Sequence, residues 1–202
     1  MESFDLDGYE TVWYKFKYFT KRSADFITKQ LMDFKADYKA QVAAFSEISA
    51  IEIEKTGIEF DYIIRALGSN ETTATRPNRV RSLCIAIHEG SGGTYSPLSV
   101  AKKRKTKSLK YLSRPERIAE LEDVYYLTKG IDWNSLNILV VDDITTTGTT
   151  LEVIGKLIKD ECPDAKLYGY CLAQTKKPEY AGVSNNEKDV EEYYRSVLSK
   201  YK

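Results

Sequence analysis

The chain has 202 residues, 42% of them hydrophobic, and its 30 basic and 30 acidic residues give a formal net charge of zero. This length suits one domain with a sizeable core, and the balanced charge disfavours a general affinity for nucleic acid or membrane surfaces. The first residues are acidic, no apolar stretch reaches transmembrane length, and Cys84, Cys162 and Cys171 form no C-x-x-C pair. We therefore expect a cytoplasmic protein with reduced core thiols and without an export signal, a membrane anchor or a zinc site.

Residues 1–57 are predicted to form a mainly helical N-terminal extension. Its first part, 11–19, is aromatic and partly alternating, which indicates an extended segment or hairpin arm. Apolar residues then recur every three or four positions, which predicts a long amphipathic helix over roughly 23–55, with or without a break, that ends before Gly57. We favour packing of its apolar face on the rest of the domain, and a coiled-coil or dimer seam is the alternative.

From Ile58 onward, predicted strands alternate with predicted helices. The strands span 61–67, 96–101, 124–127, 137–141 and 167–173, and the helices begin near Pro77, Ser113 and Thr149. This order predicts an α/β fold with a parallel sheet flanked by helices. We assign 58–180 to this core and 181–202 to a C-terminal amphipathic helix.

The segment 138–150 carries most of the functional information. Four apolar residues typical of a buried strand lead into Asp142 and Asp143, and a threonine-rich turn with Gly148 precedes the next helix. Backbone N–H groups, hydroxyls and a helix N-terminus together suit a phosphate, while paired carboxylates suit sugar hydroxyls or a hydrated Mg²⁺. The alternative is a buried strand with an ordinary turn, which leaves the second acid and the threonine run unexplained.

This pattern resembles the signature of the type I phosphoribosyltransferases, which bind 5-phosphoribosyl-1-pyrophosphate (PRPP). The resemblance implies a type I phosphoribosyltransferase-like sheet and a glycosyltransferase of nucleotide metabolism. It assigns Asp142 and Asp143 as catalytic acids that hold the ribose 2- and 3-hydroxyls and, through water, Mg²⁺. It assigns the 5-phosphate to a loop of Thr145, Thr146, Thr147, Gly148, Thr149 and Thr150.

Members of this family bind pyrophosphate on a loop after their first core strand. The corresponding turn here consists of Arg65, Ala66, Leu67, Gly68 and Ser69. A cation and backbone N–H groups are the chemistry that two phosphates require. A short Gly-Ser turn is also common in proteins that bind no phosphate, and that alternative remains open.

A basic run follows at 102–110. The resemblance implies a mobile loop that closes over PRPP and brings cations to the departing pyrophosphate. Lys102, Lys103 and Arg104 are the candidate catalytic cations, and Arg117 is a further one. A solvated charged loop is the alternative, and the neutral overall charge disfavours a nucleic-acid patch.

The order of motifs from Leu98 to Ala173 also resembles the ComF-like and amidophosphoribosyltransferase-like branch. The chain lacks that branch's N-terminal four-cysteine zinc site and its Arg-Gly-Phe-Asn segment, for which Arg65 to Glu71 stands instead. The resemblance therefore transfers no role in DNA uptake.

The expected function is transfer of the phosphoribosyl group from PRPP to a nitrogen nucleophile, with Mg²⁺ and, we expect, in a homodimer. A PRPP-sensing regulator without turnover and a nucleic-acid-linked accessory protein are the alternatives. Hypoxanthine-guanine enzymes place an acid where this chain has Thr146, so a 6-oxopurine acceptor is disfavoured. The acceptor would lie under a hood built from the N-terminal helices, or from 176–180 and the C-terminal helix.

Overall fold

The computed structural model describes residues 1–19, 25–128, 130–176 and 187–201. The strands are β1 (Glu2–Phe4), β2 (Thr11–Tyr18), β3 (Tyr62–Arg65), β4 (Thr94–Tyr95), β5 (Val100–Lys102), β6 (Tyr125–Leu127), β7 (Asn137–Thr145) and β8 (Lys166–Thr175). The helices are α1 (Phe26–Lys35), α2 (Lys39–Glu54), α3 (Arg79–Ser91), α4 (Arg114–Leu121), α5 (Thr149–Glu161) and α6 (Glu187–Leu198). Short 3₁₀ turns occupy Leu109–Tyr111 and Ser199–Tyr201.

The main sheet has six strands in the order β1-β2-β8-β7-β3-β4. Only β1 pairs antiparallel, and every other neighbouring pair in this sheet is parallel. The predicted α/β class, with a mostly parallel sheet flanked by helices, is therefore confirmed. β5 and β6 form a separate antiparallel ribbon.

Each face of the sheet carries its own hydrophobic core. Within β7, Leu139 and Val141 belong to the core on the side of α1, α2, α3 and α6. Ile138 and Val140 belong to the opposite core, with α5 and the β5–β6 ribbon. A strand buried on both faces needs apolar residues at every position, which explains the unbroken apolar run of β7.

The N-terminal residues are part of the main sheet. β2 lies in parallel register with β8, with Trp13 opposite Tyr170 and Phe16 opposite Ala173. The predicted division at residue 57 therefore does not coincide with a break in packing, because β2 adds an inner strand that pairs on both sides. Sequence alone did not indicate this pairing, since hydrogen bonds between distant strands leave no local pattern.

The predicted long helix is two helices. Asp25 caps α1 by accepting a hydrogen bond from the backbone N–H of Thr28 at 2.6 Å. Asp37 has a left-handed φ of 59°, which ends the first helix before α2 begins. The apolar faces of both helices are buried within the chain, with Leu31, Phe34, Phe45 and Ile48 fully covered. This is the packing favoured above over a seam between copies.

Strand lengths shape the candidate site. β3 ends at Arg65, opposite Val141, whereas β7 and β8 run on to Thr145 and Thr175. Asp142 and Asp143 consequently lie inside β7. The sequence had suggested instead that they lie beyond the end of this strand. Beyond the end of β3, a loop and not a strand lies along the edge of β7 with which β3 pairs.

Two further predicted segments differ from the structure. The predicted strand at 96–101 is replaced by β4 and β5, which flank Pro97, since proline cannot donate a hydrogen bond to a sheet. The predicted boundary at residue 180 and residues 177–180 of the predicted hood segment 176–180 lie outside the described residues. Among the helices that the structure describes, none is both long enough and apolar enough to cross a bilayer.

Candidate functional site

The two acids lie side by side near the carboxyl end of β7 and are half-buried. One oxygen of Asp142 accepts the Asp143 backbone N–H at 2.8 Å, and one oxygen of Asp143 accepts the Ile144 backbone N–H at 2.7 Å. The backbone N–H of Ala66, just after β3, donates to the Val141 carbonyl at 2.8 Å. This contact places the start of the predicted pyrophosphate loop beside the acid pair.

Burial and the neighbouring Asp143 carboxylate raise the pKa of Asp142 above its ordinary range. Burial disfavours the charged form, and a second negative charge nearby adds to that effect. Near neutral pH the pair therefore carries less negative charge than two separate carboxylates would. A less charged pair repels a nearby phosphate less strongly.

Arg79, the first residue of α3, contacts Asp143 directly. Its Nε and Nη2 donate to one Asp143 oxygen at 3.0 and 2.7 Å, and its Nη1 lies 3.6 Å from Asp37. Arg79 was not among the site residues predicted from the sequence. The available signal was its position, because a cation at a helix N-terminus opposes the helix dipole and needs an acidic partner.

The threonine loop leads from β7 into α5. Gly148 has a φ of +77°, and its backbone N–H donates to Thr145 Oγ1 at 2.9 Å. The hydroxyls of Thr147 and Thr149 are 2.8 Å apart, and no side chain caps the N-terminus of α5 among the described residues. The loop thus presents hydroxyls and an uncapped helix N-terminus at one place, the arrangement that binds phosphate groups.

Arg117 lies beside this loop. Its Nε donates to the carbonyls of Leu109 and Leu112 at 3.0 and 2.9 Å, and its Nη1 is 3.5 Å from Thr147 Oγ1. Ser113 and Glu116 form a capping box at the start of α4. The capping box and the two carbonyl contacts hold the Arg117 guanidinium at its Nε, so its positive charge lies next to the hydroxyls of the threonine loop.

The predicted pyrophosphate loop is closed by an internal carboxylate. The side chain of Arg65 is fully buried, and its two terminal nitrogens donate to the two oxygens of Glu71 at 2.8 Å each. The backbone N–H of Gly68 also donates to Glu71, at 2.8 Å. Burial by itself would raise the pKa of the Glu71 carboxyl group, but these hydrogen bonds outweigh burial and hold the pKa below its usual value. Arg65 and Gly68 are therefore already paired within the chain.

Lys102 lies at the end of β5 and not on an open loop. It is 4% exposed, and its Nζ donates to the Leu67 and Gly68 carbonyls at 3.1 Å each. Burial lowers the pKa of Lys102 to about 8. Through these two hydrogen bonds, the buried Lys102 side chain stabilises the turn after β3.

The other candidate cations lie on the surface. Arg104 is paired with Glu120 at 2.7 Å, and the side chain of Lys103 is exposed. The basic segment remains attached to the predicted pyrophosphate loop, because the Thr106 backbone N–H donates to the Ser69 carbonyl at 2.9 Å. The structure therefore brings the two predicted segments together, with only Lys103 and Arg104 facing outward among the three predicted catalytic cations.

The donor set at the acids suits an indirectly held metal. Among the described residues no group of three or more His, Cys, Asp or Glu side chains could hold an ion directly. Mg²⁺ commonly keeps several waters and is bound by one or two carboxylates together with substrate phosphates. Asp142 and Asp143 fit that mode of binding.

Comparison with known proteins identifies no family. No protein-family model matches the chain, and no curated protein matches it. A solved structure described as the allosteric regulatory enzyme of purine biosynthesis is similar at 16% identity with a TM-score of 0.42. The match covers 66% of this chain and 26% of the enzyme, so the chain spans about a quarter of that enzyme's length.

Proposed function

We propose that the protein is a phosphoribosyltransferase that binds PRPP and transfers its 5-phosphoribosyl group to a nitrogen nucleophile. The observation that carries the proposal is the continuous path from the acid pair through the threonine loop to the uncapped N-terminus of α5, with Arg117 beside it. Carboxylates for sugar hydroxyls and a helix N-terminus for a terminal phosphate match the two ends of a phosphoribosyl group.

In this proposal the chain acts by positioning. Asp142 and Asp143 accept hydrogen bonds from the ribose hydroxyls, while the threonine loop and Arg117 hold the 5-phosphate. Mg²⁺ bound with PRPP would be held through water by the same acids and would neutralise charge on the leaving group. Fixing both ends of the sugar orients the anomeric carbon and places negative charge near its developing positive charge.

The reaction breaks the bond between the anomeric carbon and the pyrophosphate oxygen, and pyrophosphate leaves with the electron pair. The nitrogen lone pair forms the new bond from the opposite face, and the nitrogen then loses a proton. Arg79 must release Asp143, or share it, when a ribose hydroxyl binds there. In this proposal Lys103 and Arg104, the outward-facing cations on the basic segment, would contact the departing pyrophosphate, and Arg104 would first have to release Glu120.

A PRPP-binding regulator without turnover is the second candidate. The observation that favours it is the Glu71 carboxylate, which occupies the Arg65 guanidinium and the Gly68 N–H. A pyrophosphate would have to displace this carboxylate to use the same donors. A sensor would bind PRPP and release no pyrophosphate.

The deciding experiment measures PRPP binding by calorimetry and pyrophosphate release with Mg²⁺ across purines, pyrimidines, ammonia and simple amines. Release that depends on one acceptor supports the transferase, and binding without release supports the regulator. The double variant Asp142→Asn with Asp143→Asn should abolish PRPP binding. Asp160→Asn with Asp164→Asn, at two exposed positions, is the matched control and should leave it unchanged. Unaltered PRPP affinity in the first variant would refute the assignment of the site.

A further inference from the structure

The two acids of the site differ in what their oxygens already contact. Arg79 donates through Nε and Nη2 to Oδ2 of Asp143, at 3.0 and 2.7 Å, and Oδ1 of Asp143 accepts the Ile144 backbone N–H at 2.7 Å. In Asp142, Oδ1 accepts the Asp143 backbone N–H at 2.8 Å, while Oδ2 makes no hydrogen bond within the part of the chain that the structure describes. Asp143 is therefore the acid whose two oxygens are both engaged.

The fold holds the Arg79 side chain in this position. Asn78 caps α3 by accepting the Arg81 backbone N–H at 2.9 Å, which makes Arg79 the first residue of the helix. Asp37, in the turn between α1 and α2, accepts the Arg79 backbone N–H at 3.3 Å and lies 3.6 Å from its Nη1. The guanidinium thus lies between two carboxylates, Asp37 and Asp143, that come from distant parts of the chain.

The ion pair between Arg79 and Asp143 is largely shielded from water. The Arg79 side chain is 24% exposed and the Asp143 side chain is 15% exposed. Partly buried charges are screened by salt much less than exposed ones. Both contacts are also charge-assisted hydrogen bonds, which are stronger than neutral ones. A ligand that needs the Asp143 carboxylate must therefore compete with a cation that belongs to the chain.

A divalent cation is the ligand that this pairing opposes most strongly. Mg²⁺ binds through carboxylate oxygens, directly or through its waters, and the Oδ2 of Asp143 already faces two guanidinium N–H groups. The positive charge of Arg79 also repels a second cation at the same place. A metal ion without PRPP should therefore bind the acid pair weakly.

We propose that Arg79 is the built-in counter-cation of the acid pair and excludes a divalent cation from Asp143 until PRPP binds. The inference rests on the site of the proposed function, in which Mg²⁺ enters together with PRPP. Arg79 is a positioning residue that acts through Asp143. It balances the charge of the acids beforehand and moves aside when the metal and the ribose enter together.

The test uses Mn²⁺ alone as the probe, with ¹⁵N-labelled protein and without PRPP. Bound Mn²⁺ broadens nearby amide signals, so its affinity for the acid pair is read from the amides of 142–150. Arg79→Gln should bind Mn²⁺ there at least about 3-fold more tightly than the wild type, because an opposing charge is removed. Arg195→Gln, the same charge change in the exposed pair with Glu191, is the matched control and should leave the Mn²⁺ affinity unchanged.

Two further variants separate this effect from folding and from overall charge. Arg79→Lys keeps the positive charge, so it should bind Mn²⁺ nearly as weakly as the wild type. In the Asp143→Asn background, Arg79→Gln should add little affinity, because the carboxylate that it frees is gone. Gln retains an N–H donor for Asp143, so the fold should be kept, and the amide spectrum of each variant checks this.

The inference is overturned if the folded Arg79→Gln variant gains no Mn²⁺ affinity, if Arg195→Gln gains as much, or if the full gain persists without the Asp143 carboxylate. PRPP calorimetry with Mg²⁺ on the wild type tests the proposed function separately. That function fails if PRPP does not bind, whatever the Mn²⁺ titration shows.

Discussion

Two regions were predicted to bind the two phosphate ends of PRPP, and they differ in what their donors already contact. In the threonine loop, no side chain caps α5 among the described residues, and Arg117 lies at the edge of hydrogen-bonding distance from Thr147. In the loop after β3, Arg65 and the Gly68 N–H are both bound to Glu71. Residue types and spacing thus indicate which chemistry is present in a segment, but they do not indicate whether it is available to a ligand.

Burial explains the difference. The Arg65 side chain is fully buried, and a buried charge without an opposite partner is strongly unfavourable. Glu71 supplies that partner from the same loop. In the threonine loop, Gly148 and Thr149 are buried as well, but they carry no charge, and Thr146 and Thr147 just before them are exposed, so water or a ligand can reach this loop.

The largest expected effect concerns Glu71, the internal partner of the buried Arg65. Glu71→Ala leaves Arg65 buried and unpaired, so the free energy of unfolding should fall by about 3 kcal/mol or more. Urea denaturation measures this change. Glu120→Ala, which breaks the exposed pair with Arg104, is the matched control and should have a much smaller effect. If Glu71→Ala lost no more stability than Glu120→Ala, the Arg65–Glu71 pair would not be needed to stabilise the fold.

The next effect concerns the acid pair. Because burial and Asp143 raise the pKa of Asp142 in the folded state, the unfolded chain releases this proton at lower pH. The contribution of Asp142 to the free energy of unfolding therefore falls as pH rises above about 4, the ordinary aspartate value, toward the raised folded value. Asp142→Asn removes that loss and should be more stable by about 1 to 2 kcal/mol at pH 8, with no gain at pH 3.

Thermal unfolding of the wild type and Asp142→Asn across this pH range provides the measurement. Asp160→Asn, at an exposed position, should show the wild-type pH profile. If Asp142→Asn were less stable than the wild type at pH 8, the ionised Asp142 would be a stabilising group, and the argument from burial would fail.

The smallest effect separates backbone conformation from packing in the threonine loop. Gly148 and Gly57 both have a positive φ, of +77° and +67°. An added Cβ would lie 3.2 Å from Leu6 at Gly148 and would meet nothing within 4 Å at Gly57. Each alanine variant should lose about 1 kcal/mol from backbone strain. Gly148→Ala should lose slightly more and should also weaken PRPP binding, whereas Gly57→Ala should not affect binding.

Denaturant titrations and PRPP calorimetry on both glycine variants check this prediction. Full PRPP affinity in Gly148→Ala would mean that the loop does not approach the 5-phosphate through its backbone. Equal stability losses would mean that Leu6 moves aside without cost.

The sequence by itself determined the α/β class, the buried character of β7 and the chemistry of the acid–threonine segment. These features are local, because the apolar run, the adjacent acids and the threonine-rich turn lie within a few residues of one another. The helix beginning near Ser113 was also predictable, because its capping residues are part of the local pattern, whereas the helix predicted from Pro77 begins at Arg79, after the cap Asn78.

Only the tertiary structure decided the rest. It placed β2 beside β8, brought Arg79 onto Asp143, paired Arg65 with Glu71 and buried Lys102 against the loop after β3. The first two contacts join residues far apart in the chain, and the last two depend on the burial of a charge. Partners of this kind are selected by the cost of unsatisfied polar groups in the folded core, which local sequence does not record.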